Sequence, residues 1–426
     1  MTIGTQFKDI LKKKGIGKNM SKHLSSDDIQ FALTHFLSSD IPIATKSTLL
    51  TAWAMLPATE DEKKAWTTLQ TNLSHLPPEL HFLVTKDRNP SNFFDQCIYQ
   101  LMDEKSLPTN ELWACLDAIH TGDMPSYKAA SLFEALRLKE ETFEENQTCL
   151  HFYTQKTTKI TLGIPLLIDM ATAYDGFNRS YFLQPFVAAL LAAIGIPCLL
   201  HGVKDVSPKN GMNTHKLFLM ANKNPLASMD QVAATICDPE IGWGYADQSV
   251  FCPALNALIP TRIDMIKRPV LSAIEKWLRP LNADRTVCLT GFTHAPYKQK
   301  TIDLVHHSKQ YSDLILLRGV EGSTLFPHDR RTPFIVSTGD TPPTFNFISP
   351  GTFDLKIATI DPQNPDQSLA LGIKALQGKH RALQAYLCYQ CLAIGHALGK
   401  PPGPLATQLS QAISSGKALA HWKALM

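Results

Sequence analysis

The stretch Leu166–Gly202, LLIDMATAYDGFNRSYFLQPFVAALLAAIGIPCLLHG, leaves few options for local structure. LLIDM is apolar enough to be a fully buried strand, ATAYDGFNRS interrupts it with turn residues, and PFVAALLAAIG forms a helix that is apolar on nearly every face. IPCLLHG then restarts as a second buried strand. In α/β folds the turn between a buried strand and the next helix is where anions are held, because free backbone N–H groups and the helix dipole face it. A functional site is therefore expected in this turn.

From Thr158 onward the pattern stays α/β. Candidate strands at Leu166–Met170, Pro197–His201, Gly242–Ala246, Thr286–Gly291 and Asp313–Arg318 alternate with helical stretches such as Arg268–Leu278 and Lys298–Lys309, which predicts a mainly parallel sheet flanked by helices. Thr332–Ile360 is rich in Pro, Gly, Thr and Phe and reads either as extra strands or as a long loop. Three closing helices are expected to begin near Asp366, His380 and Pro404.

Before residue 150 the chain says the same thing twice. A shift of 83 positions aligns Leu33 with Leu116, Asp40 with Asp123, Pro42 with Pro125, Leu49 with Leu132, Ala52 with Ala135, Thr59 with Thr142 and Glu62 with Glu145. Each copy reads as a helix, a turn at DIP or DMP, a helix, and a cap-like start to another. The expected division is a first helical unit with a basic leader (1–90), a second helical unit (91–155) and an α/β domain (156–426), with a linker at Leu76–Asn92 marked by Pro77-Pro78.

The formal net charge of +3 hides an asymmetry: residues 1–23 carry +5, residues 24–154 carry −10 and residues 155–426 carry +8. The basic segments suit phosphate-rich partners and the acidic middle does not. MTIGTQFKDILKKKGIGK lacks the apolar core of a secretory signal, and Pro185, Gly195 and Pro197 break the one apolar stretch that could imitate a membrane span. A cytoplasmic protein is expected, with its nine scattered cysteines reduced and Cys388-x-x-Cys391 packed in a core helix. Gly15-Ile16-Gly17-Lys18 lacks P-loop spacing, and Asp303, His306 and His307 do not converge on one point, so no metal site is expected.

The order of Leu166–Gly202, followed by KDVSPKNGMNTHKLF, resembles the anthranilate phosphoribosyltransferase family (glycosyltransferase family 3), with its GTGGDG loop, small-residue helix and KHGNR segment. The likeness extends through KEET (Lys139–Thr142) in the second helical unit and through GKHRALQAYLCYQCLAIGHALGK near the C-terminus. GFTHAPY (Gly291–Tyr297) and LLRGVEGS (Leu316–Ser323) resemble most closely the divergent YbiB-type branch, associated with nucleic-acid binding rather than tryptophan synthesis.

The resemblance places a phosphate or anion site at Thr172, Ala173, Tyr174, Asp175 and Gly176 on the loop, with His201, Gly202, Lys204, Lys209 and Gly211 beside it. It places a substrate-side cleft at Arg262, Arg268 and Lys276. The chain departs from the family where chemistry is most demanding. Ala171, Ala173 and Tyr174 stand for loop glycines, Phe182 and Gln184 for the Asn-x-Ser that meets the sugar phosphate and its magnesium, and Thr324 and Leu325 for the Asp-Glu pair that binds magnesium. Thr and Leu cannot replace two carboxylates around a hard divalent cation. The expectation is a non-biosynthetic relative with no cofactor, binding phosphate groups, plausibly of nucleic acid, in the former active-site cleft, with no catalytic residue assigned. Without an evident aromatic-rich strand face, little sequence preference is expected. The rivals are an active phosphoribosyl- or glycosyltransferase with another acceptor, which would need magnesium, and an assembly scaffold. The resemblance also implies a homodimer formed through the helical region.

Overall fold

The structure is a computed structural model that describes residues 2–18, 20–85, 91–339, 341–360 and 364–426. Its contacts divide the chain into a helical unit, Met1–Phe152 with Ala257–Ile274, and an α/β unit, Tyr153–Asn256 with Glu275–Met426. The segment Ala257–Ile274, expected within a continuous α/β domain from 156, thus goes with the helices.

In the helical unit, helices begin at Ser26, Ile43 and Glu60, and again 83 residues on at Thr109, Ser126 and Phe143. Ile43–Met55 and Ser126–Lys139, which occupy equivalent places in the two stretches, are buried along most of their length. They share polar contacts on the packed face, where Thr51 Oγ1 lies 3.0 Å from Ser131 Oγ. The cap-like motifs form in both stretches: Thr59 Oγ1 accepts from the Glu62 amide and Thr142 Oγ1 from the Glu145 amide, each at 3.2 Å. Each glutamate also reaches back to an amide 38 residues upstream, Leu24 at 3.2 Å and Leu107 at 3.0 Å. The expected linker is no loose connector up to Thr85. Pro78–Leu80 is a 3-10 turn leading into the helix His81–Val84, and Leu80, Leu83 and Val84 are buried; residues 86–90 of that stretch lie outside the described residues.

Among the described residues the α/β unit contains nine strands: β1 (Ile160–Thr161), β2 (Leu166–Ala171), β3 (Cys198–Gly202), β4 (Trp243–Asp247), β5 (Leu281–Asn282), β6 (Arg285–Gly291), β7 (Asp313–Leu317), β8 (Thr332–Thr338) and β9 (Thr344–Ile348). Seven form one sheet in the order β4-β3-β2-β6-β7-β8-β9, while β1 and β5 pair separately. The first five of the seven run parallel, as their buried apolar runs require, and β8 and β9 extend the sheet antiparallel. The stretch after Thr332 therefore supplies strands, not a long loop.

The helix Gln184–Ala193 is buried at all ten positions. Its Phe186 stacks in series with Trp422 and Trp243, with ring centroids 4.2 Å and 5.3 Å apart. A β-carbon at Gly372 would lie 2.2 Å from the Phe186 ring, so only glycine lets the helix Ser368–Leu376 come this close. Among the described residues the closing region holds four helices rather than three, because Gly416, at φ 77°, breaks Pro402–Ser414 from Lys417–Leu425. Cys388 and Cys391 lie in Arg381–Ala397, where burial pushes the Cys388 thiol up to about 11 and raises the Cys391 thiol well above its usual value.

Candidate functional site

The chain lays β2, β3 and β4 outward in one direction, then returns to place β6 and β7 on the other side of β2. Strand order reverses between β2 and β6, so the crevice beyond their C-terminal ends is where a doubly wound sheet holds ligands. The loop Thr172–Gly176 leaves β2 there, and Phe292–His294 follows β6.

The structure brings most of the loop-side residues together. Gly176 sits at φ 76°, and a β-carbon on it would meet the Met212 carbonyl at 2.5 Å; one on Gly211 would meet the Phe177 backbone at 2.6 Å. Both positions need glycine, because Phe177 and Met212 exchange two backbone hydrogen bonds of 2.8 Å and the Gly211 amide donates to the Asp175 carbonyl at 2.8 Å. Lys209 is carried into contact with the same loop, its Nζ donating to the Gly176 carbonyl at 3.0 Å.

The space these residues surround is filled from within the chain. Tyr174, at one of the loop-glycine positions, is only 2% exposed. Its hydroxyl lies within hydrogen-bonding reach of His201 Nδ1 and of the Glu275 carbonyl, the latter at 3.1 Å. Burial, followed by the nearby Glu275 and Asp169, drives its pKa well up and keeps the phenol neutral. His201 Nε2 donates to Asp169 Oδ1 at 2.8 Å, and the Tyr311 hydroxyl donates to Asp169 Oδ2 at 2.8 Å. Both nitrogens of His201 are thus engaged in a buried network.

Lys209 Nζ also donates to Glu321 Oε2, at 3.0 Å. The Glu321 carboxylate also accepts the Asn178 amide at 3.3 Å and the Arg179 amide at 3.0 Å. Burial works against its charge, but the Arg179 amide and the Lys209 ammonium outweigh it and hold the pKa below the usual value. Glu321 was not legible in advance: it lies 112 residues from Lys209 in sequence.

The positions assigned to magnesium are closed as well. Gln184 and Thr324 are fully buried and bonded to each other through Gln184 Nε2 and Thr324 Oγ1, while Leu325 and Phe182 are core residues. A neutral hydrogen bond joins the positions that the resemblance gives to a serine and to one magnesium carboxylate, and among the described residues no three His, Cys, Asp or Glu side chains form a metal-binding group. These residues do not fit magnesium.

Gly202 is buried at the end of β3, and Lys204 just beyond it is exposed. Lys276 is partly exposed, with Nζ 3.5 Å from the Gly291 carbonyl at the end of β6 and 5.1 Å from the Trp277 ring centroid. Arg262 and Arg268 belong to the helical unit. Arg262 is 1% exposed, with Nη2 donating to Ser272 Oγ at 3.0 Å, and Arg268 is exposed.

An aromatic strand face, not foreseen from the sequence, flanks the crevice. On β9, Phe345 is 63% exposed and Phe347 is 54% exposed, opposite Ile335 and Pro333 of β8. Lys298 Nζ lies 5.1 Å from the Phe345 ring centroid and the Arg331 guanidinium 4.3 Å from that of Phe347. A cavity of about 310 Å³ lies against this face, lined by His294, Lys298, Arg318, Ile335 and Phe345 among others. The alternation in Thr-Phe-Asn-Phe was the available signal, since residues two apart share a strand face.

No family model matches the chain. Among curated proteins it is 24% identical over 232 residues to an uncharacterized protein of Aquifex aeolicus, covering 54% of this chain and 67% of that one. It is 28% identical over 189 residues to the anthranilate phosphoribosyltransferase of Acetivibrio thermocellus, covering 44% of this chain and 53% of that enzyme. The chain thus spans about half to two thirds of the length of these curated relatives. Among solved structures, anthranilate phosphoribosyltransferase from Thermus thermophilus superposes with a TM-score of 0.61 at 20% identity, covering 77% of this chain and 98% of that one. The Saccharomyces cerevisiae enzyme, in complex with PRPP and Mg, superposes with a TM-score of 0.61 at 13% identity, covering 78% and 96%. The protein is therefore similar in sequence, at low identity, to anthranilate phosphoribosyltransferases and has their fold.

Proposed function

We propose that the protein is a non-biosynthetic relative of anthranilate phosphoribosyltransferase that binds phosphate-bearing polymers, single-stranded nucleic acid first among them, at the C-terminal rim of its α/β sheet. The observation that carries this reading is the β8–β9 face. It offers two exposed phenylalanine rings, each overlaid by a cation, beside a cavity edged by Lys298, Arg318 and His294. Single strands are held by this combination, because bases stack on aromatic faces while cations follow the backbone. Stacking tolerates any base, so low sequence preference is retained, and a duplex, whose bases are already stacked, gains less.

Phosphoribosyl transfer would require a cradle for pyrophosphate and carboxylates for magnesium. Tyr174, Gln184 and Thr324 stand at positions that the resemblance assigns to that machinery, and Lys209 is paired with Glu321, which supports loss of the tryptophan-biosynthetic activity.

The test is fluorescence anisotropy with labelled single- and double-stranded oligonucleotides of one sequence, across a range of salt. The wild type is expected to bind single strands tighter, and Phe345→Ala with Phe347→Ala to weaken that binding by roughly tenfold or more, given about 1–3 kcal/mol per stacked base. Lys298→Ala and Arg318→Ala should each lower the salt slope by about one. Absence of binding at low salt, or a double alanine variant that binds like wild type, would overturn the reading.

A further inference from the structure

Two backbone amides and a lysine ammonium converging on one point make an oxyanion site, and in this chain the oxyanion is a side chain. Glu321 spends both carboxylate oxygens on the Asn178 and Arg179 amides and on Lys209 Nζ, at 3.0–3.3 Å, with its side chain only 4% exposed. A phosphate oxygen would seek the same donors. The turn that delivers Glu321 is tightly specified. Glu321 itself adopts φ 52°, ψ 23°, and the Ser323 carbonyl lies where β-carbons of Gly291 and Gly319 would stand, 1.9 Å and 1.8 Å away. A non-glycine residue in the left-handed region is uncommon and is held there by its surroundings.

The site has an approach from solvent. A cavity of about 360 Å³ is lined by Glu321 together with Arg179, His328, Asp329, Arg330 and Tyr386 among others. Asp329, the other carboxylate of this wall, is already paired with Arg330 at 3.8 Å. Arg179 and Arg330 share the lining of this cavity with Glu321, so an anion in it finds two cations beside that carboxylate.

We infer that Glu321 is a built-in stand-in for an oxyanion, latching shut a binding site for phosphate or diphosphate that opens when its carboxylate, carried on the turn Gly319–Ser323, is displaced or removed. This goes beyond the nucleic-acid reading and does not depend on it. The occupied state explains why Lys209, which reaches the loop, is not left facing solvent there.

Calorimetric titration with inorganic phosphate and with diphosphate, without magnesium, tests the latch on the full chain. Wild type should bind weakly. Glu321→Ala should bind diphosphate at least tenfold more tightly, and adding Lys209→Ala should cancel that gain. Should Glu321→Ala fail to fold, as judged by circular dichroism and thermal melting, Glu321→Gln serves instead. Glutamine keeps the size of the side chain but not the charge that neutralises Lys209, and a gain of at least threefold is expected. An unchanged affinity in the folded variant, or a gain that survives Lys209→Ala, would overturn the inference. Oligonucleotide binding at the β8–β9 face, measured on the same proteins, should persist in Glu321→Ala, which separates failure of the latch from failure of the nucleic-acid reading.

Discussion

At the scale of single residues, one buried polar network of the α/β unit gathers around Asp247. Asp247 at the end of β4 accepts from Tyr245 at 2.9 Å and from the Ser249 amide at 3.0 Å, and is paired with His215 Nδ1 at 2.7 Å. Burial raises its pKa, but the hydrogen bonds from His215, Ser249 and Tyr245 win and hold it below the usual carboxylate value. A carboxylate with a depressed folded pKa stabilises fully above its unfolded value, and the contribution fades as pH falls through the folded value. Asp247→Asn should therefore lower stability at pH 7, by about 1–3 kcal/mol for an impaired buried network, and the gap to wild type should narrow as pH falls below about 4, the unfolded carboxylate's range. Urea unfolding at both pH values checks this; a gap that widens on acidification would contradict it. The loop residues and their partners Lys209 and Gly211 were legible because they carry a local motif. Tyr174 was legible only as a missing glycine, since nothing local shows that its ring would turn inward onto His201. Glu321 was hidden for the same reason: an ion pair between distant segments leaves no trace in the spacing of either.

At the scale of elements, apolar runs and turn residues predicted the five parallel strands to within a residue or two at their ends. β8 and β9 were left open because a Pro- and Gly-rich stretch fits either an antiparallel hairpin or a loop, and the partner strand decides between them. The matching helix starts of the two N-terminal stretches were legible through caps and prolines, whose chemistry is local. What spacing could not show is that each stretch buries an ion pair on its capping glutamate: Lys14 with Glu62 at 2.7 Å and Lys139 with Glu145 at 2.8 Å. The lysines come from different places, one from the basic leader and one from the helix ahead of the cap. Part of the leader is therefore a structural element, and Lys14, fully buried, does not contribute to a nucleic-acid surface. Glu62→Gln and Glu145→Gln should destabilise the protein to a similar degree, about 3–5 kcal/mol for breaking a buried pair, seen as matched drops in the denaturation midpoint. A large loss for one and none for the other would argue against equivalent roles.

At the scale of the whole molecule, the fold is that of anthranilate phosphoribosyltransferases, while several side chains at the C-terminal ends of β2 and β6 are bonded to one another. Fold alone does not decide function; the site does. Tyr174 fills the loop, Glu321 takes the lysine and two amides, and Gln184 bonds to Thr324. Tyr174, Gln184 and Thr324 stand at positions that the resemblance assigned to the pyrophosphate loop and to magnesium, and the proposal that the transferase chemistry is lost rests on them. The most direct measurement is calorimetric titration of the wild-type chain with phosphoribosyl pyrophosphate, with and without magnesium. The account predicts no saturable binding at concentrations up to about 1 mM, where any Kd lies above the range that gives about 4 kcal/mol of binding free energy, and no effect of magnesium. Saturable, magnesium-dependent binding in the micromolar range would contradict it.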